Sequence, residues 1–214
     1  MSFALIEIEA TAKKAARGAG YSWGMAEEAA WATRWLCAYG IEGVSVLAAL
    51  LDHVAGADLA AMAPRTLGGD WKAKAREICP LTAGAALTDA APFWAKGGKR
   101  LENVIAPALL LPFAAASAGR LGATLTIDWT GAVAVIDGSA VSLTLDDSAG
   151  LIAVAGLVRV ESGGQLGVPL PTQTRATPSE SDWAALNRFA QKTYAPDTEE
   201  SRVRGAGAGF TDND

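Results

Sequence analysis

Between residues 123 and 160 the chain changes character at every second position. Ala123, Leu125, Ile127 and Trp129 alternate with Thr124, Thr126 and Asp128, and Val141, Leu143 and Leu145 alternate with Ser142, Thr144 and Asp146. Period two is the signature of a strand with one buried face. A short apolar run, residues 132–136, and a further candidate, residues 151–160, complete the series. Thr130-Gly131, Asp137-Gly138 and residues 147–150 separate the runs, and Asp-Gly is a strong two-residue hairpin signal. Connections this short force antiparallel neighbours, so a meander of about four strands is expected.

Helical patterns flank this block. Residues 3–16 follow Ser2, a good N-cap, and end before Gly18 and Gly20. Residues 24–39 carry Glu27 and Glu28 in their first turn and Gly40 just past the end, and are apolar nearly all round, as a buried helix is. A third helix is expected over 44–54 and a short one over 70–78. The most apolar window, residues 104–119, holds Pro107 and Pro112 and falls short of the roughly 20 residues a membrane span needs. It reads as a core strand with a connecting turn. Residues 162–178 lack periodicity and read as a long surface loop. Ser179 then caps a last helix to about residue 194, with Asp182 in a capping-box position. The expected class is α+β in one domain: a helical part over 1–55, a mainly β part over 100–161, a C-terminal helix over 179–194 and a glycine-rich tail over 195–214.

Composition narrows the chemistry. Of 214 residues, 18 are basic and 23 acidic, with no long run of either sign, so no footprint for nucleic acid is present. One histidine, His53, excludes a multi-histidine metal site, and two cysteines, Cys37 and Cys79, exclude a disulfide framework. Free thiols and a start without a basic, apolar leader point to a soluble, cytoplasmic protein without a membrane span. Any chemistry then falls to arginines, carboxylates and backbone glycines.

These concentrate in two segments. Residues 17–29, RGAGYSWGMAEEA, lead through glycines into a buried helix, where free N–H groups can face an anion. Arg17, Tyr21, Ser22 and Trp23 are its candidate ligand-binding residues, and Glu27 its candidate acid or base. Glu27, Trp31, Arg34 and Trp35 form one stripe of that helix, and Arg34 adds a second guanidinium. The bland alternative makes the glycines an interhelix turn and the stripe a surface. Residues 198–214, TEESRVRGAGAGFTDND, end the chain. Too few residues follow Gly209 for a dinucleotide fold, and no Gly-Lys-Ser/Thr makes a phosphate loop. What survives is a segment whose backbone can approach a ligand at Gly205, Gly207 and Gly209. Ser201, Arg202, Asp212, Asn213 and Asp214 would supply contacts and Glu200 a second acid or base. Lys96, Lys99 and Arg100 around Gly97-Gly98 read as a solvated turn.

Through these two end strings the chain resembles, over essentially its whole length, a bacterial family catalogued as a domain of unknown function. The resemblance implies a free-standing soluble bacterial protein and carries no activity, cofactor or catalytic assignment.

The expected function is therefore binding of, or action on, a small polar and anionic metabolite. Its pocket would lie between the N-terminal glycine-aromatic turn and the C-terminal tail, with Arg17 and Arg202 holding the anion. The alternative is a non-catalytic accessory subunit whose tail docks into a partner. Whether the protein is an enzyme, which metal or cofactor it uses, and whether it forms homo- or hetero-oligomers stay open at this level.

Overall fold

Residues 1–194 are described by the structure, a computed structural model. Strand β1 (Phe3–Ala4) leads into helix α1 (Leu5–Gly18), followed by α2 (Trp23–Ala38) and α3 (Gly43–His53). Helices α4 (Pro80–Asp89) and α5 (Ala91–Trp94), strand β2 (Lys99–Val104) and helix α6 (Leu111–Leu121) make the middle of the chain. Strands β3 (Leu125–Trp129), β4 (Ala132–Ile136), β5 (Val141–Leu145) and β6 (Ala155–Ser162) come next, then β7 (Arg175–Ala176) and α7 (Glu180–Gln191). Helices before and after an antiparallel sheet make this an α+β fold.

The five-stranded sheet has the order β2-β6-β3-β4-β5, every pair antiparallel. Only β3, β4 and β5 form a meander. The linker after β5 is long enough for β6 to cross to the far side of β3, which corrects a four-strand meander. The β4–β5 hairpin also closes one residue later than the Asp-Gly signal. Asp137 N donates to Ala140 O, so Gly138 and Ser139 are central, and the Asp137 carboxylate accepts from Ser139 N and Ala140 N at 2.9 and 2.8 Å. Alternation set the faces correctly: Leu125, Ile127 and Trp129 are buried, and α6 packs against β3 and β4.

Three further expectations shift. Phe3 and Ala4 pair with Ala176 and Arg175, and Phe3 stacks on Trp183 at 4.0 Å, so α1 begins only at Leu5. Its leading amide, Ala4 N, donates to Glu7 at 2.6 Å, and Ser2 serves Arg175 rather than capping α1. Residues 104–119 hold the end of β2, a 3-10 turn (Pro107–Leu110) and most of α6, not a core strand. Pro112 stands in the first turn of α6, where a missing N–H costs nothing, so this proline starts a helix. Pro80 does the same for α4.

No helix covers 70–78. Trp71 and Ile78, both fully buried, instead lie beside β2 through parallel bridges to Leu101 and Val104. Trp71 N donates to Arg100 O at 2.8 Å and Glu102 N donates to Trp71 O at 3.0 Å. Two apolar residues seven apart mimic a helical face, but the exposed edge of β2 needs backbone partners and takes them from this segment. The loop over 162–178 is similarly tied down. Leu170 N donates to Val141 O on the other sheet edge, while Gln173 caps α2 by donating to Ala38 O and Cys37 O, each at 2.8 Å. The last helix follows its sequence signal: Ser179 Oγ accepts from Asp182 N at 3.1 Å. Among the described residues no helix is long and apolar enough to cross a membrane.

Candidate functional site

The turn between α1 and α2 gathers most of the N-terminal candidates. Ser22 caps α2 by accepting from Met25 N at 3.3 Å. Arg17 donates to the Tyr21 carbonyl, and its guanidinium lies 4.5 Å from the Trp23 ring centroid. Lys13 approaches the same ring and pairs with Glu27 at 2.7 Å. The Tyr21 ring is buried, with its hydroxyl 3.3 Å from Cys79 Sγ. Burial first, and the neighbouring thiol second, push this phenol far above its ordinary range. Arg34 leaves the group and pairs with Glu9 on α1 at 3.0 Å. Glu200, Ser201, Arg202, Gly205, Gly207, Gly209, Asp212, Asn213 and Asp214 lie outside the described residues.

The glycines of this turn divide by role. Gly20 has φ +102°, a left-handed conformation that favours glycine. Gly18 is a contact point: a Cβ there would land on the Phe189 carbonyl oxygen of α7.

Glu27 also stands at the mouth of a groove of about 380 Å³ between α2, α4 and α6. Glu28 and Asp89 add carboxylates, and Trp31 meets Phe113 edge to face at 5.3 Å to form the apolar wall. Phe113 reaches this place because Gly84 offers no Cβ beneath its ring. Among the described residues no cluster of three or more histidine, cysteine or carboxylate side chains is arranged to hold a metal ion. The Glu28 carboxyl is raised above its ordinary range, by burial first and then by Asp89 and Glu27. A raised folded-state value means the ionised form opposes folding, and that penalty appears as pH rises through it. Glu28→Gln is therefore expected to raise Tm at pH 7, with the gain shrinking as pH falls towards the ordinary glutamate range near 4.3 and vanishing well below it. Thermal melts at the two pH values check this; a lower Tm at pH 7 would show that Glu28 makes a favourable ionic contact instead.

A larger groove, about 580 Å³, opens between the loop carrying Gly68-Gly69 and the one carrying Gly97-Gly98. Its distinctive group is Lys99, only 8 % exposed. The strand pleat of β2 turns Lys99 inward with Leu101 and leaves Arg100 outward. Lys99 Nζ donates to Gly69 O at 3.0 Å and Leu67 O at 3.2 Å and lies 5.1 Å from the Trp71 ring centroid. Burial draws this amine below the ordinary lysine range, and Asp70 partly opposes the shift. Arg100 shares the rim and reaches Asp70 at 3.7 Å. Among the described residues the amides of Gly68, Gly69 and Asp70 donate to no main-chain or side-chain acceptor. Phe93, 88 % exposed, and Leu67 form apolar rims.

Read as a solvated turn, Lys99 was missed by sequence reasoning. Its signal was the strand alternation Lys99, Leu101 against Arg100, Glu102, which requires knowing that 99–104 pairs as a strand.

Residues 3–79 match the model of a family described as a protein of unknown function, DUF3726. The match takes in the string at 17–29 and the Gly68-Gly69 loop with Trp71; the string at 198–214 and β2 with Lys99 lie beyond it. No curated protein matches the chain.

Proposed function

We propose that this protein binds a small anionic metabolite and that the groove beside Lys99 receives it. The observation that carries the reading is Lys99 itself, a largely buried residue whose part-buried amine reaches the wall of a groove of ligand size. When protonated, this amine is met among the described residues by two carbonyl dipoles and the Trp71 face, with Asp70 acting from farther off, so an anion entering the groove would add a direct ionic partner. Arg100 adds a permanent charge, and the undonated amides of Gly68, Gly69 and Asp70 add the kind of N–H donors that cradle oxyanions. The turn at Arg17 suits an anion less, because its guanidinium already serves the Tyr21 carbonyl and the Trp23 face. Two free, buried thiols support a reducing, cytoplasmic setting for this binder.

Thermal shift tests it. Inorganic phosphate and small mono- and dicarboxylates at roughly 100 times Kd would add about 2.7 kcal/mol. For a chain of this size that is a rise in Tm of roughly 5–10 °C. The rise should disappear in Lys99→Met and weaken in Arg100→Ala. Equal shifts in parent and Lys99→Met proteins, or none with any anion, would overturn the reading. A surface that docks a partner protein is the second reading, favoured by Phe93 on the rim. It expects Phe93→Ser to lose self-association or partner capture while the parent shows no anion response.

A further inference from the structure

We propose, resting on the anion-binding reading, that Lys99 is an imine-forming nucleophile and that the ligand is a small oxo-carboxylate, an aldehyde or ketone bearing one carboxylate. Nζ is met by two main-chain acceptors, Gly69 O and Leu67 O. An ammonium would turn its third hydrogen to the Trp71 ring, 5.1 Å from Nζ at its centroid and a weaker partner than a carbonyl, whereas the neutral amine keeps both carbonyl bonds and frees its lone pair. Below it lies the Trp71 ring, and the residue is 8 % exposed, a desolvated setting of the kind that makes lysine amines nucleophilic at neutral pH. Burial lowering the amine's proton affinity agrees with this geometry. The groove holds a separate guanidinium for the carboxylate: that of Arg100, whose contact with Asp70 is loose at 3.7 Å. Phe93 and Trp94 offer an apolar wall for the carbon skeleton.

The step balances without an oxidant. The Nζ lone pair attacks the carbonyl carbon and forms the C–N bond, and the carbonyl π electrons pass to oxygen. Loss of that oxygen with the two amine hydrogens releases one water and leaves the C=N bond. Protonation of the imine returns one N–H, enough to keep the hydrogen bond to Gly69 O.

Borohydride trapping decides the matter. The full chain is incubated with pyruvate or glyoxylate, reduced with sodium borohydride, digested and mapped by mass spectrometry. The expected result is a secondary-amine adduct on Lys99, absent when lactate, which lacks the carbonyl, replaces pyruvate, and lost in Lys99→Arg. The adduct site is read in the parent protein, so the outcome stands even if the variant does not fold. Adducts spread over exposed lysines such as Lys13 and Lys74, with none on Lys99, would overturn the proposal. Stabilisation by both pyruvate and lactate with no adduct on Lys99 would remove the imine and leave the anion-binding reading intact. Neither stabilisation nor adduct would remove both.

Discussion

Trp71→Ala is expected to lower the unfolding free energy by about 3–5 kcal/mol, the cost of emptying a fully buried tryptophan site. The indole does more than fill space. Its Nε1 donates to Leu67 O at 3.1 Å, the carbonyl that also receives Lys99 Nζ. The Trp71 main chain brackets β2 at Arg100 and Glu102, so the side chain holds the segment that covers this sheet edge. Losing it should release the loop at Leu67 and Gly69 and abolish any thermal response to anions. Trp71→Phe keeps most of the apolar area but drops the indole donor, and should cost less, by the order of 1 kcal/mol for the lost hydrogen bond plus the smaller volume. Urea unfolding followed by far-UV circular dichroism gives both values. A loss under about 1 kcal/mol for Trp71→Ala would contradict the packing described for this loop.

Gly18→Ala should destabilise by about 1–3 kcal/mol even though alanine is the better helix former. The added methyl would meet the Phe189 carbonyl oxygen, a backbone atom inside α7 that cannot swing aside, so the α1–α7 contact must open. Gly24→Ala is the matched control. It lies in the first turn of α2 with nothing within 4 Å of a new Cβ, and a neutral or slightly stabilising effect is expected. Measured together by chemical denaturation, the pair separates a packing glycine from a conformationally free one in the same string. A neutral Gly18→Ala would mean that α7 does not approach α1 this closely.

That string illustrates how much of the site could be read in advance. The buried helix over 24–39 was legible, because periodicity acts within a few residues. The Ser22 cap was not read, and since it starts α2 at Trp23, Glu27 and Glu28 lie past the first turn in which the sequence had placed them. That Lys13 would pair with Glu27, and that Arg17 would lie on Trp23, were not legible either, because α1 must first fold back on α2. The groove beside Lys99 was less legible still. Gly68-Gly69 and Gly97-Gly98 lie almost thirty positions apart, and each by itself is an ordinary turn. Only the pairing of Trp71 with β2 brings them to the same rim.

The same division runs through the fold. Local rules act over three or four positions in helices and two in strands, and they determined the α+β class, the first three helices to within two residues and the buried face of β3. Backbone donors and acceptors at a sheet edge must be satisfied by whatever segment arrives there, and no local pattern names it. Tertiary structure alone therefore decided that 71–78 would extend along β2, that β6 would cross to β3, and that the largely buried Lys99 would bring its amine to a groove.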